Sequence, residues 1–162
     1  MKLKELIEQY GEYEVKNGFM ELLEEPKPKT VYDLKYGDTY FFLTALGTIM
    51  TGIWHNDDSD HNRLRFGNVF LTEEDAKFAK ERLKVIAELK KYAMEFSDEE
   101  GKNMNLPKHY LFYDYEDHVI SIGCVYYSKG NGIYFGSKEK AQEAIKAVGE
   151  DRIKKYYLGV KE

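Results

Sequence analysis

Two stretches of this chain share one design. Gly67-Asn-Val-Phe-Leu-Thr-Glu-Glu-Asp-Ala-Lys-Phe-Ala79 and Gly132-Ile-Tyr-Phe-Gly-Ser-Lys-Glu-Lys-Ala-Gln-Glu-Ala144 both pass from glycine through a short apolar segment into a hydroxyl residue and a helical pattern. Phe70, Thr72, Ala76 and Ala79 correspond to Phe135, Ser137, Ala141 and Ala144 at a constant offset of 65 residues. Thr72 and Ser137 are N-cap residues, whose hydroxyls accept from a backbone N–H of the first helical turn. The charges differ between the copies, since Glu73 and Asp75 become Lys138 and Lys140. Shared chemistry would have kept the charges, whereas shared architecture keeps the cap and the alanines. The stretch therefore constrains the fold: a strand-to-helix junction is used twice.

The rest of the chain arranges itself around these junctions. Leu3, Leu6, Ile7 and Tyr10 form one apolar stripe ended by Gly11, and Phe19, Met20, Leu22 and Leu23 mark a second short helical segment. Pro26 and Pro28 then impose an extended connector. Thr39–Ala45 and Thr48–Trp54, with Leu46-Gly47 between them, read as a hairpin rich in aromatic and β-branched residues. His55–Asn62 reads as a polar loop and Arg63–Phe70 as a third strand. The helix after Thr72 is expected to run to about Phe96, with Ala79, Leu83, Ile86, Ala93 and Phe96 on its apolar face, widened by Phe78, Val85, Leu89 and Tyr92.

Ser97–Leu106, polar and carrying Gly101, reads as a linker. His109–Tyr115, Val119–Tyr126 and Ile133–Phe135 then repeat the three strands, and a helix from Ser137 is closed by Gly149 before a last short helix over Glu150–Tyr157. The expected fold class is α+β: tandem β-β-β-α units, each a small antiparallel sheet packed by a helix, preceded by an N-terminal helical arm. The boundaries are 1–29 for the arm, 30–96 for the first unit, 97–108 for the linker and 109–162 for the second unit with its short terminal helix.

Composition excludes several classes of function. A net charge of −5 argues against non-specific nucleic-acid binding, which needs a basic surface. The single Cys124 excludes an intramolecular disulfide framework and a Cys-rich zinc site. With neither a membrane-length apolar run nor a secretory signal, the expected setting is soluble and cytoplasmic.

No catalytic constellation emerges. His55, Asp57, Asp58, Asp60 and His61 cluster as a divalent ion would want them, and Asp58-x-Asp60-x-Asn62 imitates the start of a calcium loop. The imitation fails at Arg63, where glycine makes the sharp turn, and at Val69, where a bidentate glutamate belongs. The cluster reads as a solvated loop, with no metal and no cofactor expected. Cys124 lies inside an apolar strand pattern and is expected to be an inert buried thiol, meeting His109 or His118 only by accident of fold. Ser128-Lys-Gly-Asn-Gly132 lacks the spacing of a phosphate loop and reads as a hairpin turn.

Candidate binding residues fall into two groups. Trp54 and His55 at a strand end, with Arg63 and Arg65 across the loop, combine the residue types favoured as interface anchors, although Trp54 also fits the core of the first unit. Tyr113, Tyr115, Tyr126, Tyr127 and Tyr134 on the second sheet suit a protein interface better than base stacking, since few basic residues accompany them.

Pro26–Tyr40, Trp54, Gly67–Ala76 and the segment Ile145–Tyr157 resemble small uncharacterised accessory proteins of Firmicutes phages and prophages, over about residues 2–158. The shared motifs are structural, so no active-site residue carries over. The resemblance implies an origin in a mobile element and a non-enzymatic binding role. The partner it implies is a host protein, including nucleic-acid-processing defence enzymes such as a CRISPR nuclease, whose basic channel an acidic inhibitor can occupy. A pocket between the halves that sequesters a nucleotide signal, and an accessory role in phage DNA replication or packaging, are the alternatives.

Overall fold

A computed structural model describes Glu5, residues 29–103, 105–126, Gly130 and residues 132–161. The chain divides into two compact units, Met1–Asp33 and Leu34–Glu162. The helical arm expected over 1–29 lies outside the described residues apart from Glu5 and Lys29. What is described of the first unit is a 3-10 turn, Val31–Asp33, closed by Asp33 accepting from both the backbone and the hydroxyl of Thr30.

The second unit is mixed helix and strand, with two small antiparallel sheets. Strands β1 (Thr39–Leu43) and β2 (Ile49–Ile53) form the first hairpin. Helices α1 (Asp58–Arg65), α2 (Glu73–Lys90) and α3 (Asp98–Lys102) follow. The second hairpin is β3 (Lys108–Asp114) with β4 (Val119–Val125). Helix α4 (Lys138–Val148) leads to α5 (Glu150–Arg152), which continues into a π-helical turn, Ile153–Tyr157. The two sheets are separate, each of two strands.

The third strand expected at Arg63–Phe70 is not one. Residues 58–65 are helical because Asp57 caps the helix by accepting from the Asp60 N–H, Asp58 and Asp60 sit at its positive end, and Arg63 and Arg65 sit at its negative end. What remains of a third strand is a pair of mimics. The Asn68 amide accepts from the Leu43 N–H and donates to the Leu43 carbonyl, both at 2.8 Å, in the place of a ladder residue. Phe70 then exchanges two backbone hydrogen bonds with Phe41. In the second half Phe135 alone pairs with His109.

The hairpins carry the same internal packing. Tyr40 lies across from Gly52 and Tyr110 across from Gly123, and in each pair the tyrosine ring occupies the space a Cβ would need, with approaches of 2.8 Å and 2.4 Å. Each tyrosine meets the phenylalanine two residues on, Phe42 or Phe112, at ring separations of 5.9 Å and 6.0 Å and the same tilt of 41°. Thr72 and Ser137 both accept from the N–H three residues on. The register of the third segment differs, since Phe70 pairs one residue after Tyr40 and Phe135 one residue before Tyr110.

Helix α2 ends at Lys90, six residues short of the expected Phe96. The chain leaves the helix so that the Met94 N–H reaches the Tyr134 carbonyl and Phe96 becomes buried. Its face is also rotated from expectation: Ala76, Val85 and Leu89 are buried, whereas Leu83 is 60% exposed. Val85 and Leu89 join Leu111, Ile133, Phe135, Ala141, Ala144, Val148 and Ile153 in one core. Helix α2 also packs on β1 and β2, so it serves both hairpins. Arg152 grips Glu88 with two parallel hydrogen bonds of 2.7 and 3.0 Å, tying α5 to α2. In the segment expected as a linker, Ser97 and Glu100 close a reciprocal capping box on α3. Lys108 is fully buried beside Phe96, its ammonium donating to the carbonyls of Leu106 and Tyr126.

Candidate functional site

The polar centre of the first hairpin is built from Tyr40, Asp60 and Arg63. The Tyr40 hydroxyl donates to Asp60 Oδ1 at 2.6 Å and accepts from Arg63 Nη1 at 2.6 Å. The other carboxylate oxygen accepts from the His55 N–H at 2.7 Å. Burial pushes the Asp60 carboxyl up, but hydrogen bonds from Tyr40 and from the backbone of His55, Asp57 and Asn56 outweigh it and hold the group below the usual carboxylate range. Burial, reinforced by the Asp60 carboxylate, pushes the Tyr40 phenol up against the opposing pull of Arg63. Both shifts lead away from neutrality, so this trio exchanges no proton near pH 7 and acts as a clamp holding α1 on the sheet.

Of the first group of candidate residues, Trp54 and Arg63 turn inward onto the hairpin, whereas His55 and Arg65 stay exposed. Trp54 is buried, edge-on to Tyr40 at 5.9 Å and to His61 at 5.5 Å. Arg63 lies over the Phe42 ring at 4.0 Å while bound to Tyr40. His55 is exposed and meets the Tyr36 ring at 5.6 Å, and Arg65 reaches Asn62 at 3.4 Å. Asp60 of the acidic cluster is buried in the clamp, and no three His, Cys, Asp or Glu side chains converge on an ion position among the described residues.

The second group is split between the ends of its hairpin. Tyr113 and Tyr115 stand edge to face at 4.9 Å beside the turn, with His118 Nδ1 3.5 Å from the Tyr113 hydroxyl. Tyr126 follows Val125 at the opposite end, roughly 20 Å away at the rise of a strand. Tyr127 lies outside the described residues. Tyr134 turns instead to Tyr110, and its hydroxyl accepts from Gly130. Cys124, expected to be buried, is exposed, one residue before the end of β4. The neighbouring Cys124 side chain pushes the Tyr126 phenol up. The cross-strand partner of Cys124 is His109, whose Nδ1 is buried with no hydrogen-bond partner among the described residues.

Two concave features were not legible as sites in the sequence. One is an apolar groove of about 510 Å³ between the first hairpin and α2, lined by Leu43, Phe66, Phe70, Leu83 and Ile86, with Arg82 the charged group on its wall. Phe66 is 87% exposed and Leu46, on the neighbouring β1–β2 turn, 94% exposed. Phe66 is the residue that ends α1, and only the recognition of that helix would have singled it out. The other is a cavity of about 620 Å³ between α2 and the C-terminal segment, walled by Phe78, Tyr113 and Val160 and carrying Lys154, Lys155, Lys161 and Asp151. Lys154 is engaged by Glu150 at 3.0 Å.

Comparisons with protein-family models, with curated proteins and with solved structures give no match to this chain. Among the described residues no helix is long and apolar enough to cross a membrane.

Proposed function

We propose that this chain is a non-enzymatic binding protein that engages a host protein through the groove beside its first hairpin. The observation that carries the reading is the pair of large apolar side chains left in water on the groove, Phe66 and Leu83, with exposed Leu46 on the turn that follows its Ala45. A contiguous exposed apolar patch is the usual mark of a protein-docking surface. The clamp of Tyr40, Asp60 and Arg63 favours the same reading, because this buried polar cluster is taken up in its own hydrogen bonds and serves structure. The phage resemblance extends it to a mobile-element protein that modulates a host defence enzyme, a CRISPR nuclease being one form. The net charge of −5 suits a partner with a basic nucleic-acid channel.

The test is affinity capture from host lysate with the wild type, Phe66→Asp and Lys155→Ala. A partner retained by the wild type and Lys155→Ala but lost by Phe66→Asp supports the groove; undiminished capture by Phe66→Asp overturns it.

A second reading, a binder of small anionic ligands such as nucleotides, is favoured by the lysine-bearing aromatic cavity at Tyr113 and Lys155. Calorimetry with nucleotides separates the two, since Lys155→Ala would then abolish the heat of binding and Phe66→Asp would not.

A further inference from the structure

Among the described residues, strand β2 is an outer strand of its sheet. Strand β1 has β2 on one flank and Phe70 on the other, whereas no described residue pairs with the outer flank of β2. The direction of its free groups follows from the ladder. Trp54 donates to the Asp38 carbonyl and Thr44 to the Thr48 carbonyl, so residues 48, 50, 52 and 54 bond inward. Phe41, opposite Thr51, sends its own N–H and carbonyl to Phe70 instead. The N–H and C=O groups of Ile49, Thr51 and Ile53 consequently point away from β1.

Sheet edges are ordinarily guarded by a lysine, a proline, a bulge or a covering element. Among the described residues this one has none of them. From Thr39 to Asn56 the sequence runs 18 residues without Asp, Glu, Lys or Arg, in a chain of which 33% is charged. Met50 and Ile53 are 48% and 53% exposed along the same strand.

We propose that the β2 edge is the self-association surface of this protein, pairing antiparallel with β2 of a second copy about a two-fold axis through Thr51. Charge selects the occupant. Two copies at −5 each repel wherever their charged faces meet, and the uncharged hairpin is the face on which they approach without that penalty. A strand is also its own complement when two-fold symmetry sets it antiparallel to itself. With Thr51 opposite Thr51 of the copy, Ile49 stands opposite Ile53 of the copy on the same face, a β-branched pair of the kind that stabilises sheets. All three outward residues then exchange both hydrogen bonds, and two two-stranded sheets become one of four strands.

Equilibrium sedimentation of the full chain over a concentration series tests this. The wild type is expected at twice its 19.0 kDa mass, and Thr51→Lys, which sets two ammonium groups face to face, at the monomer mass with its dissociation constant raised by ~100-fold or more. Register is tested in a Cys124→Ser background. Thr51→Cys is expected to cross-link on mild oxidation, since a hydrogen-bonded pair holds its Cα atoms about 5.5 Å apart, within disulfide reach. Thr48→Cys, roughly 20 Å from its own symmetry mate at the rise of a strand, is expected not to. A monomeric wild type, a dimer undisturbed by Thr51→Lys, or equal cross-linking at positions 48 and 51 each overturns the proposal. If Thr51→Lys does not fold, the cysteine pair decides alone.

Discussion

Replacing Tyr40 by phenylalanine removes one oxygen and leaves the ring that fills the space over Gly52 and packs edge-on to Trp54. The cost therefore isolates the hydroxyl. That hydroxyl makes two charge-assisted bonds, to Asp60 and from Arg63, both at 2.6 Å. The Arg63 side chain is 31% exposed and recruits water in its place, but the Asp60 side chain is 3% exposed and does not. The loss at the carboxylate dominates, and the expected destabilisation is about 2–3 kcal/mol, or roughly 4–12 °C in Tm for a chain of this length.

The pH dependence fixes the mechanism. The Asp60 carboxyl titrates lower in the folded chain than in the unfolded one, so its stabilisation is present above the unfolded value and is lost as pH falls through the folded one. The Tyr40 phenol titrates higher, so its contribution holds below the unfolded value and is lost as pH rises through the folded one. The gap between wild type and Tyr40→Phe should be widest from about pH 5 to 9 and should shrink below about pH 4. Urea unfolding followed by Trp54 fluorescence measures it. A gap under ~0.5 kcal/mol at pH 7, well below the expected loss of a charge-assisted bond, or one that persists unchanged into acid, would refute the clamp.

Two further substitutions probe the packing. Gly52→Ala and Gly123→Ala each drive a methyl group into a tyrosine ring, with more overlap at 123, and should cost about 1–3 kcal/mol by urea unfolding, Gly123→Ala the more; full stability of either would mean that its ring moves freely. Glu88→Ala breaks the bidentate grip of Arg152, and because both side chains are about a third exposed the expected loss is ~1 kcal/mol or less, read most clearly as a double-mutant cycle with Arg152→Ala.

What the sequence disclosed was local. The caps at Thr72 and Ser137 were legible because capping needs only neighbours along the chain, and both hairpins were legible from their aromatic and β-branched runs. Helix α1 was missed because the face it buries is polar: Asp60, His61 and Arg63 dock it, and an apolar period has nothing to register. Its capping aspartate and its acid-to-arginine polarity were the available signals. Helix α3 was hidden in a polar segment although Ser97 and Glu100 spell its capping box. The end of α2 left no glycine or proline to read, since a tertiary bond from Met94 to Tyr134 draws the chain away. Trp54 was legible as a core residue as well as an anchor, but the inward turn of Arg63 was not, because it depends on Tyr40, distant in sequence. The groove at Phe66 stayed invisible for the same reason that α1 did.

The sharing of α2 between two separate sheets has a consequence for how binding is felt. The helix packs on β1 and β2, and its Val85 and Leu89 sit in the core with Leu111 of β3, so neither hairpin keeps its packing if the helix frays. A partner that recognises only the folded groove at Leu83 shifts the whole unit toward the native state by mass action. Protection from hydrogen exchange should then rise not only in β1 but also in β3, in the other sheet, with no rearrangement between them. The helix is a common ledge, and weight placed on one face steadies the other.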